Sequence, residues 1–201
     1  MRADEIIKAT LAETIALHEQ LLHADPRPIG EAADAIVRSL RGGGKLLVFG
    51  NGGSAADAQH VAAELVGRFS RERAGLAAVA LTTDTSVLTS VSNDYGFERV
   101  FARQIEALGR PGDVALGIST SGQSPNVVAA LQAGRARGLR TIALTGRDGG
   151  VVGRAAEVHI NAPSPSTPRI QEAHRTLLHV MCELVERAMT EPTGSPGKID
   201  A

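Results

Sequence analysis

Four short runs of almost continuous apolar residues, each separated from the next by helical periodicity, constrain this chain most. They are residues 45–49 (KLLVF), 76–81 (LAAVAL), 114–118 (VALGI) and 141–144 (TIAL). Each is too brief for a core helix and does not alternate with polar residues. Strands apolar on successive residues are covered on both faces, which calls for a parallel sheet between helical layers. Residues 157–160 form a shorter fifth candidate. Helical spacing occupies 54–69, 85–92, 97–108 and 125–137, and a long last helix runs over about 168–189. Crossovers between such strands are right-handed.

Two helices precede the first strand. Ile7, Leu11, Ile15 and Leu22 share one face, and Ile29, Ala33, Ile36, Val37 and Leu40 share the next, with Asp25-Pro26-Arg27-Pro28 between them. Gly42-Gly43-Gly44 ends the second. Either they cap the sheet or they pack against another subunit. The expectation is one α/β domain over 1–189, with leading helices over 1–41, a core over 45–189 and a disordered tail over 190–201.

Composition narrows the function. With 43% apolar but only 2% aromatic residues and no Trp, the core is built from Ala, Val, Leu and Ile. The net charge is −1, from 21 basic and 22 acidic residues, which argues against a nucleic-acid binder. An anionic ligand would therefore need a local site rather than long-range steering. Cys182 is the only cysteine, so no disulfide forms within the chain, and its apolar neighbours make it a small core residue. No run approaches 18 apolar residues and no signal pattern opens the chain, so a cytoplasmic protein without a membrane span is expected.

In parallel sheets ligands gather at the C-terminal strand ends. Two loops there suit an anion. Gly50-Asn51-Gly52-Gly53-Ser54 follows KLLVF, and its glycines allow close approach of backbone to ligand. Ser54 can be a helix N-cap with Asp57 completing a capping box, alone or together with a ligand contact. Ser119-Thr120-Ser121-Gly122-Gln123-Ser124 follows VALGI and places four hydroxyls before a helix opened by Pro125. Hydroxyls, backbone N–H groups and the helix dipole would converge on a phosphate, without any Lys or Arg in the loop. No Walker loop is present.

His60 and Glu64 stand one turn apart on one helix face, able to share a metal ion or to place a carboxylate base beside an imidazole. Arg68 continues that face, free to meet an anion or to pair with Glu64. The last helix carries Gln171, Glu172, His174 and His179. His179 lies among Leu177, Leu178, Val180 and Met181, where a core imidazole is the plainer reading. Gln171 and His179 are separated by about 12 Å of helical rise. They share one ion only at full stretch, from a frayed helix start, or across subunits.

Six ordered blocks carry a resemblance: Asn51 to Ser54, AQHVAAEL (58–65), Asn93-Asp94-Tyr95-Gly96-Phe97, GISTSGQS (117–124), ALTGRDGG (143–150) and RIQEAH (169–174), with His179 after them. Over about residues 30–189 the chain resembles the phosphoheptose isomerase family of sugar-isomerase (SIS) domains. The resemblance implies a five-stranded parallel sheet flanked by helices, doubly wound and flavodoxin-like. It implies an aldose–ketose isomerase that converts D-sedoheptulose 7-phosphate to D-glycero-D-manno-heptose 7-phosphate, the first step toward nucleotide-activated heptose. It implies a homotetramer with interface active sites and one zinc per subunit, with ligands at His60, Glu64, Gln171 and His179. Substrate contacts are implied at Asn51, Gly52, Gly53, Ser54, Glu64, Asn93, Asp94, Ser119, Thr120, Ser121, Ser124 and Gln171, with Glu64 as carbon base and His179 as its acid–base partner. Pro168 stands where some relatives carry an acidic residue, and the 82–92 stretch has one extra residue relative to some of them. The alternative is a non-catalytic SIS-domain protein that binds the replication initiator DnaA or senses phosphosugars. Such a protein needs the hydroxyl loop but neither base nor acid, and this chain has both.

Overall fold

The apolar runs pair as one five-stranded sheet. In the computed structural model, which describes residues 2–191, the strands are β1 (Leu46–Gly50), β2 (Ala78–Ala80), β3 (Val114–Ser119), β4 (Arg140–Gly146) and β5 (Val158–Ala162). All pairs are parallel and the order is β2-β1-β3-β4-β5. This is the flavodoxin-like order, in which the winding reverses between β1 and β3. The loops leaving those two strands are the Gly-rich and hydroxyl-rich loops, so topology alone places both at the crevice where ligands bind.

The side-chain period of two sorts each strand between two cores. Leu46, Val48, Val114, Leu116, Ile142, Leu144, Val158 and Ile160 face one layer, made by α2 (Arg27–Arg41), α3 (Gly53–Val66) and α8 (Thr167–Thr190). Leu47, Phe49, Ala115 and Ala143 face the other, made by α5 (Val100–Leu108), α6 (Pro125–Ala136) and α7 (Gly150–Ala155). Phe49 stacks on Phe101 at 5.5 Å, a use of two of the chain's few aromatics. Cys182 is buried among the aliphatics of the first core, where burial pushes its thiol up to about 12.

α1 (Ala3–Leu22) lies outside both cores. Leu17 alone in it is buried, while Ile6, Ile7, Leu11, Ile15 and Leu22 are 48–78% exposed. A polar seam fastens it to α8: Thr14 donates to Glu172 (2.9 Å), His18 meets Thr176 (3.0 Å) and Arg169 donates to the Thr10 carbonyl (3.2 Å). Of the two leading helices, then, α2 caps the sheet and α1 does not.

Several boundaries differ from expectation. β2 holds three residues rather than six, because an edge strand pairs on one side only. β5 starts at Val158, one residue later, and runs to Ala162. α4 (Thr85–Tyr95) extends three residues further and is followed by a 3₁₀ turn at Phe97–Arg99. α7 was not anticipated, since it is six residues long and lies inside a Gly-rich stretch. α8 continues through Thr190, so the tail expected from 190 begins inside a helix, and residues 192–201 lie outside the described ones.

Candidate active site

β1 delivers Gly50–Gly53 with its backbone tightly packed. A Cβ on Gly50 would lie 2.8 Å from both the Ile118 carbonyl and the Ser54 Cβ, and one on Gly53 would collide with the carboxamide of Gln171. Gly52 is the N-cap of α3, with φ 56°, a conformation that favours glycine. This overturns the capping box expected at Ser54. Ser54 lies inside the first turn, buried, and Asp57 is held by Arg175, whose Nε and Nη2 donate to one of its oxygens at 2.9 and 2.6 Å. The sequence gives no warning of a partner 118 residues away.

β3 delivers the hydroxyl loop. Ser119 Oγ lies 2.9 Å from Ser124 Oγ and 3.4 Å from Ser121 Oγ, and the Gln123 N–H donates to Ser121 Oγ (3.1 Å). Ser124 is the N-cap of α6 and Pro125 its first residue, as expected, but the Ser124 hydroxyl turns back toward Ser119 instead of capping. Gly122, at φ 67°, is pressed against the Gly149–Gly150 backbone, and the Val152 N–H donates to its carbonyl (2.9 Å). The turn that opens α7 thus buttresses the hydroxyl loop. Beneath it, Thr145 Oγ1 meets His159 Nε2 (2.6 Å) and donates to Asn161 (2.8 Å), which donates to the Arg147 carbonyl (3.0 Å).

The two loops are tied to each other. Asn51 and Asn126 exchange reciprocal amide hydrogen bonds of 2.9 Å each, and Asn126 is buried. Asn126 was missed from sequence because its only signal is this cross-fold pairing.

His60, Glu64 and His179 converge. One ligand atom from each lies within 4.8 Å of the others, with His60 Nε2 2.7 Å from His179 Nε2 and 3.4 Å from Glu64 Oε1. All three are half-buried, so His179 is not a core imidazole. The Phe69 ring covers it at 5.6 Å. Burial, then the Arg175 cation, pushes His60 below its ordinary range, against the pull of Glu64; His179 pushes it down further. A neutral imidazole is the form that ligates metal. Two imidazoles and a carboxylate suit a divalent ion of the zinc type, with a coordination position left over.

The remaining predicted residues lie elsewhere. Gln171 sits against Gly53 and lines a groove of about 480 Å³ with Ala56, Asp57, Glu172 and Arg175. Arg68 pairs with Glu72 (3.7 Å), not with Glu64. Asn93 donates to Asp94 (2.8 Å) on the exposed last turn of α4, and among the described residues neither is hydrogen-bonded to the two loops. A larger groove of about 670 Å³ runs beside β2 along Val79, Asp84, Val87 and Arg103 and contains none of the predicted site residues. α3 also runs back from the strand ends. His60 is about 10 Å and Glu64 about 16 Å along its axis from Gly53. Within one chain the His60–Glu64–His179 cluster and the Gly-rich loop therefore stand at different levels of the same helix.

A family model described as SIS domain matches residues 11–146. A phosphoheptose isomerase from a Roseiflexus species is 60% identical over 159 residues, which are 79% of this chain and 81% of that relative. The structure of phosphoheptose isomerase from Neisseria gonorrhoeae is similar with a TM-score of 0.87 at 48% identity, covering 92% of this chain and 99% of that one. One from Francisella tularensis gives 0.89 at 36% identity, covering 93% and 100%.

Proposed function

The chain belongs to the SIS domain family and within it to the phosphoheptose isomerases, and on that footing we propose that it interconverts D-sedoheptulose 7-phosphate and D-glycero-D-manno-heptose 7-phosphate in the cytoplasm, supplying the first intermediate of activated-heptose synthesis. It is an aldose–ketose isomerase. The observation that carries the chemical reading is the convergence of His60, Glu64 and His179.

Isomerisation moves one proton between C1 and C2. The Glu64 carboxylate removes the proton from C1 while the imidazole of His179 protonates the C2 oxygen, giving an enediol. His179 then takes the proton from the C1 oxygen and Glu64 returns its proton to C2. Each acid–base group is worth about 10²–10⁴-fold. The residues fit one zinc per subunit at His60, Glu64 and His179, each giving one ligand atom; when bound it would polarise the sugar oxygens as a Lewis acid and leave the second carboxylate oxygen of Glu64 and the other ring nitrogen of His179 for the proton transfers. Gln171 lies against Gly53 within its own chain, inside α8 and about 12 Å of helical rise from His179, which supports its joining that ligand set from a neighbouring copy.

The phosphate rests on Ser119, Thr120, Ser121 and Ser124 at the N-terminus of α6, a cradle of neutral donors and helix dipole. Asn51, Gly52, Gly53, Ser54 and Gln171 contact the sugar, and Asn93 and Asp94 complete the contacts. The exposed apolar stripe of α1 and the axial separation of the two half-sites both support a homotetramer with sites at its interfaces. Among the described residues no helix is long and apolar enough to cross a membrane.

The test is direct. Purified protein is incubated with sedoheptulose 7-phosphate with and without chelator, and aldose phosphate is followed. Turnover that chelator suppresses is expected. No turnover with any phosphosugar, together with specific binding to DnaA, would overturn the reading.

A further inference from the structure

The connection from α3 to β2, residues 67–77, has no regular structure, yet one carboxylate fastens its first half. Glu186, on α8 and 1% exposed, accepts from the N–H groups of Phe69 (2.9 Å), Ser70 (2.8 Å) and Arg71 (2.9 Å), from the Ser70 hydroxyl (3.0 Å) and from Arg73 Nε (3.0 Å). Arg73 then reaches the other way. Its Nη2 donates to the Glu64 carbonyl (2.8 Å) and its Nη1 to the carbonyls of Leu65 (2.8 Å), Ala74 (3.1 Å) and Gly67 (3.2 Å).

The carbonyls of Glu64 and Leu65 belong to the last turn of α3, where no intrahelical donor is left for them. A cation there also complements the helix dipole, and α3 has no basic residue of its own in that turn. The guanidinium therefore finishes the turn that carries Glu64. The segment that Glu186 grips also brings Phe69 onto His179, seven residues before Glu186 on α8 and so on nearly the same face. Both halves of the acid–base cluster are thus fixed from one buried ion pair.

We propose that Glu186 and Arg73 are positioning residues, a buried clasp that sets the placement of the Glu64 turn of α3 against His179 on α8. Only its kinetic readout rests on the proposed isomerase reaction. Stability alone is a poor reason for such a pair, since apolar residues of similar volume often serve as well. A fixed geometry needs the directional bonds that a carboxylate and a guanidinium supply.

The test compares Glu186→Gln with Lys45→Met. The latter breaks a half-buried ion pair, Lys45 with Asp113 (2.6 Å), at the opposite ends of the strands. Residues supporting metal ligands typically account for about 10–100-fold in metal affinity or activity. Expected for Glu186→Gln is an affinity for Co²⁺ at least tenfold weaker, in a titration of metal-free protein. kcat with sedoheptulose 7-phosphate should fall at least tenfold while KM stays within about threefold. Lys45→Met should lose thermal stability yet keep both values. Should Glu186→Gln not fold, Arg73→Lys carries the test, because lysine keeps the charge but cannot span Glu186 and the two helix carbonyls. Wild-type Co²⁺ affinity and kcat in the clasp variant, or an equal loss in Lys45→Met, would overturn the proposal. A wild-type protein inert toward the sugar would count against the reaction, and the Co²⁺ affinities would still decide the clasp.

Discussion

Gly53 shows how little space the site leaves. Its missing Cβ is occupied by the flexible end of Gln171, so Gly53→Ala can fold by displacing that carboxamide. KM for the sugar phosphate should rise several-fold while the melting temperature barely moves. Unchanged KM would remove Gln171 from the substrate contacts. Asn126 makes the converse case. Asn126→Ala leaves the Asn51 amide without its partner, at a cost of about 1–3 kcal/mol, and frees the Gly-rich loop from α6. Urea unfolding reads the first effect and KM the second. At this scale the sequence is legible where a motif is local. His60 and Glu64 follow from i, i+4 spacing, and the serines of 119–124 from their order. It is opaque where a partner is distant. Arg175 takes Asp57 away from Ser54, Asn126 pairs with Asn51, and Phe69 with the α3 face gives His179 a half-buried setting that its apolar neighbours disguise.

At the scale of elements, continuous apolar runs identify strands β1, β3 and β4, because only central strands of a parallel sheet are buried on both faces. The edges are less legible. β2 shrinks to three residues and β5 alternates, as strands with one neighbour can. α7 escapes notice because its place is set by contact with Gly122 rather than by its own periodicity. The α3–β2 connection also has a pH signature. Burial alone would raise the Glu186 carboxyl, but the N–H groups of Ser70, Phe69 and Arg71 and the Ser70 hydroxyl outweigh it and hold the value at about 2, below the ordinary 4.5. A carboxyl depressed in the folded state stabilises fully above its unfolded value and loses that contribution as pH falls toward the folded one. The stability gap between wild type and Glu186→Gln, read by urea unfolding, should be constant above about pH 5 and narrow between 4.5 and 2. A gap independent of pH would mean that the carboxylate is not what holds the loop.

For the whole molecule, flavodoxin-like winding puts the two anion-suited loops at one crevice, and the direction of α3 carries the His60–Glu64–His179 cluster away from them. An apolar stripe on α1 remains uncovered in the single chain. Ile7→Gln, Leu11→Gln and Ile15→Gln together should shift sedimentation toward smaller species and lower kcat in parallel. Smaller species with full kcat would place the complete site within one chain. Glu64 is the group proposed to move the carbon-bound proton, and kcat after its substitution measures that most directly. Glu64→Gln should lower kcat for sedoheptulose 7-phosphate by about 10²-fold or more with its circular dichroism and melting temperature preserved. A folded Glu64→Gln protein that turns over at the wild-type rate would contradict it.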